Sequence, residues 1–177
     1  LKDTYKDFEY LSKLPGKKIL LKGNHDYWWT TLNKMKNYLK QNGFNNIDFL
    51  YNNSYEIEKN IIAGTKGMTQ SNDPDDERLV HREIIRLELS LRDGIEKYGK
   101  DKPIIVCMHY PPITTYNLLN DIKSPFIEIM KKYNVQKCIY GHLHSSSISE
   151  AIQGNIDGIE IKLVSSDSLG FKLLKIK

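Results

Sequence analysis

Four of the five histidines follow short apolar runs that each read as a buried strand. His25 stands in Gly23-Asn24-His25-Asp26 after the run Lys18 to Leu21, and His109 follows Ile104 to Met108. His142 and His144 stand in Gly141-His142-Leu143-His144 after Lys137 to Tyr140. In an open α/β sheet, ligands gather beyond the carboxyl ends of the strands. Three strand ends that all deliver imidazoles therefore point to one shared site. Neutral imidazole is the commonest side-chain ligand and suits Zn, Fe, Mn or Ni, and an imidazole on an exposed turn can donate a proton. Metal binding combined with proton transfer is the chemistry these residue types can perform.

Each segment has a plain reading beside the chemical one. In an extended loop, residues two apart project to the same side, so His142 and His144 reach one site or two adjacent ones. Gly23 allows a sharp turn off the strand. Asn24 offers an uncharged carbonyl oxygen to a hard divalent ion, or else caps the helix that follows. Asp26 is placed to fix the tautomer of His25. Met108-His109-Tyr110-Pro111-Pro112 adds an imidazole to a strand end that two prolines stiffen.

The elements that must hold these residues are legible from periodicity. An amphipathic helix over 4–13 ends at Pro15-Gly16, and a strand over 17–22 follows. A helix is expected from about Tyr27 to Gln41, closed by Asn42-Gly43. Two short strands, Tyr55 to Ile57 and Asn60 to Gly64, reverse tightly. Residues 66–77 form a polar loop, able to shape a substrate pocket. A long helix over 77–98 carries Val80, Ile84, Leu87, Leu91 and Ile95 on one stripe. A strand over 103–108, a helix over 124–133 and a strand over 136–140 come next. The end reads as a β-meander, with Ile148 to Ile152, Ile159 to Val164 and Phe171 to Ile176 as strands around the turn 154–158. The fold class is α/β, or α+β by some schemes, and residues 1–177 form a single domain.

Composition narrows the function classes. A net charge of +4 over 177 residues, with no basic block, argues against a nucleic-acid partner. Cys107 and Cys138 fall inside apolar runs without Cys-X-X-Cys spacing, which fits small core residues in a reducing, cytoplasmic setting. No apolar stretch approaches the about 18 residues of a membrane helix. The chain opens on Leu1 within a helical pattern, so its reading frame is expected to begin further upstream, and targeting stays open.

Taken together, Gly23-Asn24-His25-Asp26, His109 and Gly141-His142-Leu143-His144 resemble the calcineurin-like metallophosphoesterase superfamily, in its order and with its separations, from about Lys17 to the end. Tyr27-Trp28-Trp29 after the turn and Arg86 to Leu91 in the long helix are similar to a small bacterial branch of phosphoesterases. The resemblance implies two mixed β-sheets packed face to face and flanked by helices, with two divalent metal ions (Mn, Fe, Zn or similar) above the sheet edges. By position, Asn24, His109 and His142 resemble ligands of the second ion and His144 a ligand of the first. His25 resembles the group that contacts the substrate phosphate and protonates the leaving alkoxide, with Asp26 supporting it. The implied substrate is a phosphorylated small molecule or nucleotide: a phosphomonoester, a phosphodiester or a pyrophosphate.

The sequence departs from that pattern at its start. The superfamily's Asp-X-His and Gly-Asp motifs have no counterpart before Gly23, where the only aspartates are Asp3 and Asp7 in a helical pattern. The expectation is that these pieces lie upstream of Leu1, and that the present chain, lacking the first strands, binds metal weakly and hydrolyses little. Open sheet edges also make a homo-oligomer an expectation. The competing reading is a non-catalytic scaffold of the same fold for protein binding; a proton donor at His25 argues against it. His81 reads as a rim histidine, Asp167 as a turn cap ahead of a distant supporting group. One of Trp28 and Trp29 reads as core, while the other is a weaker candidate for stacking on substrate.

Overall fold

Two hydrophobic cores, each under its own sheet, organise the computed structural model, which describes residues 1–70 and 73–176. The polar loop expected over 66–77 therefore lies partly outside the described residues. The smaller core begins with α1 (Tyr5–Lys13), which buries Phe8 and stops at Leu14. Leu14 is extended because the following Pro15 disfavours a helical conformation there. Strand β1 (Lys18–Leu21) is joined through α2 (Leu32–Gln41) to β2 (Ile47–Leu50), and the two strands pair in parallel. Phe8, Met35, Leu39, Phe44, Ile47 and Phe49 interlock as this core, with Trp28 and Trp29 packed against it.

The larger core lies under a six-stranded mixed sheet of order β3-β4-β5-β6-β8-β7. Its strands are β3 (Tyr55–Ile57), β4 (Asn60–Thr65), β5 (Ile104–Met108), β6 (Lys137–Tyr140), β7 (Gly154–Ile156) and β8 (Ile159–Leu163). The β3–β4 and β7–β8 pairs are antiparallel hairpins; β4, β5, β6 and β8 run parallel. Positive φ at Glu58 and Lys59 supplies the tight turn of the first hairpin. Helix α3 (Pro74–Tyr98) starts with the Asp73 carboxylate accepting from Asp75 N–H, and it lays Val80, Leu87 and Leu91 on the sheet. The short α4 (Thr115–Leu119) and α5 (Pro125–Lys132) follow β5, the latter burying Phe126, Ile127, Ile129 and Met130.

Register decides what reaches the rim. Thr65 pairs with Met108, Met108 with Tyr140, and Tyr140 with Leu163, so four parallel strands end in one row. The ladder continues past that row: His109 N–H donates to Lys66 O at 3.2 Å, Gly141 N–H to His109 O at 3.2 Å and Val164 N–H to Tyr140 O at 2.7 Å.

Several expected boundaries differ. Residues 27–31 are not helical; α2 starts at Leu32 with Thr31 as its cap, so Asn24 caps no helix. Residues 145–150 form a 3₁₀ helix in place of the strand Ile148 to Ile152. Ile148 and Ile152 pack on the core from irregular backbone, and the Tyr140 hydroxyl donates to Ile152 O at 3.0 Å. The strand lies instead at Gly154–Ile156, with Asp157-Gly158 as its turn. Phe171 to Ile176 is not a strand, and Phe171 and Leu173 are exposed. Strand β2 and helix α4 were not foreseen. No helix among the described residues is long and apolar enough to cross a membrane.

Gly64 shows how closely β4 approaches its neighbours. A Cβ there would stand 2.0 Å from Cys107 O and 2.9 Å from Leu50 Cδ2. Backbone cannot yield as a flexible side chain does, so Gly64→Ala is expected to destabilise the fold by about 2–3 kcal/mol. A lower urea midpoint at unchanged slope checks it.

Candidate active site

Gly23 brings the turn after β1 against the strand end of β5. A Cβ at Gly23 would lie 3.3 Å from His109 Cε1 and 3.3 Å from Asp26 Oδ2, a tight contact that the bare backbone avoids where Asn24 meets His109. Asn24 Oδ1 stands 2.7 Å from His109 Nε2, and His142 Nδ1 stands 3.1 Å from the same nitrogen. One ring proton on Nε2 cannot be aimed at both neighbours. Lone pairs thus converge where an electrophile would satisfy them. A divalent ion with ligands at about 2.1 Å, at right angles to tetrahedral, separates donor atoms by about 3.0–3.4 Å. The observed set sits near that range. Two imidazoles and an amide oxygen could hold one ion, although they bring no negative charge. Among the described residues no group of three or more His, Cys, Asp or Glu side chains is gathered as a metal site.

His142 owes its position to strained backbone. It has φ +72°, and Leu143 N–H donates to Gly141 O at 2.9 Å across it, the hydrogen bond of a γ-turn. A non-glycine residue in this region costs on the order of 1–3 kcal/mol. The extended loop expected for Gly141 to His144 is therefore replaced by a reversal that sends the two imidazoles different ways. His142 turns to His109. His144 turns to Asp167, with Nδ1 at 3.0 Å from Oδ1.

Asp167 is a residue that sequence reasoning undervalued. It follows the end of β8, so a fourth parallel strand contributes to the rim. Its carboxylate also accepts from Ser145 N–H at 2.9 Å and Ser168 N–H at 3.0 Å. Those bonds, that from Ser145 foremost, hold its pKa below the usual carboxylate value. A carboxylate on Nδ1 leaves Nε2 of His144 for whatever the cleft binds.

Asp26 acts on His25 through the loop rather than through a hydrogen bond to its ring. Its carboxylate folds back into its own turn, accepting from Gly23 N–H at 2.6 Å and Trp28 Nε1–H at 3.0 Å. It shapes the loop. The Tyr27 hydroxyl stands 3.5 Å from Nδ1 of His25. Trp28 and Trp29 both pack on the smaller core, so the solvent-facing aromatic beside the site is Tyr27, at 86% exposure. Together Leu21, Gly23, Asn24, His25, Asp26, His109, His142 and His144 line one cleft of about 350 Å³.

Burial keeps the central imidazoles uncharged. Desolvation, then the neighbouring His142 and Lys66, lowers the His109 pKa to about 4, with Asp26 opposing. His142 is also lowered, first by burial and then by His144 and His25.

A family model described as calcineurin-like phosphoesterase matches residues 2–146, and the chain belongs to that family. Its members are phosphoester hydrolases that generally bind divalent metals. The match starts ahead of the expected Lys17, taking in α1, and ends short of β7 and β8. No curated protein and no solved structure matches the chain.

Two outcomes follow from this geometry. In metal-free protein, unfolded His109 takes up a proton near the ordinary 6.5 whereas the folded form waits until about 4. The stability it contributes is complete above pH 6.5 and is lost as pH falls toward 4. Urea titrations across that window should show the decline, and His109→Gln should flatten it. Separately, Asp167→Asn should lower the fraction of His144 with its proton on Nδ1, read by ¹H–¹⁵N NMR, and weaken Mn²⁺ binding by about 10–100-fold.

Proposed function

We propose that this protein is a metal-dependent phosphoesterase that hydrolyses a phosphomonoester, phosphodiester or pyrophosphate at the cleft beyond β1, β5 and β6. One observation carries the reading: Asn24 Oδ1 and His142 Nδ1 both stand within hydrogen-bond distance of His109 Nε2, in a cleft that His25 and His144 also line. In this reading Asn24, His109 and His142 hold one divalent ion and His144, oriented by Asp167, holds part of a second. Divalent cations bound there would supply Lewis acidity toward the phosphoryl oxygens and a water of lowered pKa.

The chain's own residues do the rest. His109 and His142 are kept neutral by burial, so their lone pairs are free for ligation at neutral pH. His25 stands exposed on the turn, able to approach a substrate oxygen and give its proton to the departing alkoxide. Tyr27 meets His25 edge to face, with ring centroids 6.1 Å apart. Asp26, by tying Gly23 to Trp28, fixes the loop that carries both Asn24 and His25.

The donor set is neutral, and without a carboxylate neither ion has its charge balanced. We infer that residues 1–177 by themselves hold divalent metal weakly and turn over slowly. The same feature favours the alternative, a non-catalytic scaffold of this fold.

Equilibrium dialysis with Mn²⁺ and hydrolysis of phosphate esters separate the two. Binding should be weak yet lost by a further factor of about ten or more in His142→Ala. His25→Ala should slow alkyl phosphate hydrolysis by about 10²–10⁴ while slowing aryl phosphates, whose leaving groups need no proton, far less. Equal loss on both ester types would remove His25 as the acid. No metal-dependent turnover under any loading would leave the scaffold.

A further inference from the structure

Three rings close a triangle at the ends of β5 and β6: His109, Tyr110 and His142. The Tyr110 centroid lies 4.2 Å from that of His142, the planes tilted by 44°, and 5.2 Å from that of His109, edge to face at 84°. The two imidazole centroids are 4.9 Å apart. Both imidazoles line the cleft, whereas the tyrosine is buried and does not. It is the member of the triangle that offers no ligand atom to the cleft, yet it touches both candidates that do.

The backbone that carries Tyr110 is held on both sides. Its N–H donates to Lys66 O at 2.9 Å, which fastens it to the residue after β4. Beyond it, Pro111 and Pro112 fix their own φ angles. Pro112 O accepts from Gln70 Nε2 at 3.2 Å and from the Ser124 hydroxyl, both buried side chains. His142 is built differently. It sits at φ +72°, a conformation that a residue with a β-carbon disfavours, in the γ-turn that Leu143 N–H closes on Gly141 O. A firmly anchored ring therefore lies against an imidazole on strained backbone. Packing of that kind restricts a side chain to one rotamer.

We propose that Tyr110 is a positioning residue whose ring holds the His142 imidazole in a single rotamer against His109, keeping Nδ1 of the one and Nε2 of the other 3.1 Å apart for a shared divalent ion. This rests on the metal-binding part of the phosphoesterase reading. The contacts that position the imidazoles are made by the ring, so phenylalanine serves in place of tyrosine. An aliphatic side chain fills part of the space but lacks the face and edge through which aromatic pairs choose their geometry.

The test compares Tyr110→Phe and Tyr110→Leu in the full chain, with Ile113→Ala, a buried residue of the same loop, as the control for lost packing. Thermal melts confirm folding of each variant. In EDTA-treated protein, vicinal NMR couplings report the χ1 rotamer of His142. The wild type and Tyr110→Phe should show one rotamer, and Tyr110→Leu an average. Co²⁺ titrations followed by visible absorption should give affinities within about twofold of wild type for Tyr110→Phe and Ile113→Ala, and about tenfold weaker for Tyr110→Leu. An averaged His142 in the wild type overturns the proposal, whether or not Tyr110→Leu folds. So does a Tyr110→Leu chain with one His142 rotamer or full Co²⁺ affinity, or an equal loss of affinity in Tyr110→Phe or Ile113→Ala. A rotamer that depends on the ring, in a wild type that takes up no Co²⁺, would support the positioning role and remove the metal reading. Co²⁺ binding indifferent to Tyr110 would do the reverse.

Discussion

Packing two neutral imidazoles and an amide oxygen within about a van der Waals diameter of one another is the constraint around which the rest of this chain is arranged. Charged imidazoles would repel at the 3.1 Å that separates His142 Nδ1 from His109 Nε2. Burial removes the charge, and the scaffold then holds the rings at that spacing. Gly23 yields its side-chain volume to the His109 ring, the Lys66 carbonyl clamps the backbone after β5, and a strained γ-turn at His142 aims the second ring. These three devices belong to three different segments, so the arrangement exists only in the folded chain.

The electrostatics of the rim follow from the same balance. Two neutral rings tolerate a nearby cation, and Lys66 is near enough to contribute to keeping both unprotonated. Glu83 would be a costly buried charge alone; with Thr65, Arg82 and Arg86 around it, it becomes the anchor that ties α3 to the end of β4. Thus the cleft side of the molecule is neutral where ligands converge and positive beside them.

Much of this was legible in the sequence, for identifiable reasons. Strands β1, β5 and β6 are short apolar runs broken sharply by histidine-bearing turns, and the stripe of α3 runs long enough to fix its period. Strand β2 escaped notice because Asp48 interrupts its apolar run and asparagine pairs flank it. Its strand character comes from pairing with β1, and Asp48 is exposed enough to bridge Lys17 at 3.0 Å. Residues 27–31 contain no glycine or proline to mark a break before α2, while their true organiser is the Asp26 carboxylate. Phe171 to Ile176 alternates like a strand, but alternation needs a partner edge to become one, and these residues have none among the described strands. At the site, histidines advertise themselves by type. Asp167 and Lys66 do not, because their roles depend on which strand ends are neighbours, and only the register shows that.

That register has a consequence for how such a rim can vary. Thr65, Met108, Tyr140 and Leu163 stand in line like teeth of a comb. Inserting a single residue into any of these strands would do more than push its tooth outward by about 3.3 Å; it would flip that tooth to the opposite face of the sheet. Gradual change is thereby barred within the strands, and diversification of the rim is confined to the loops that begin one residue later.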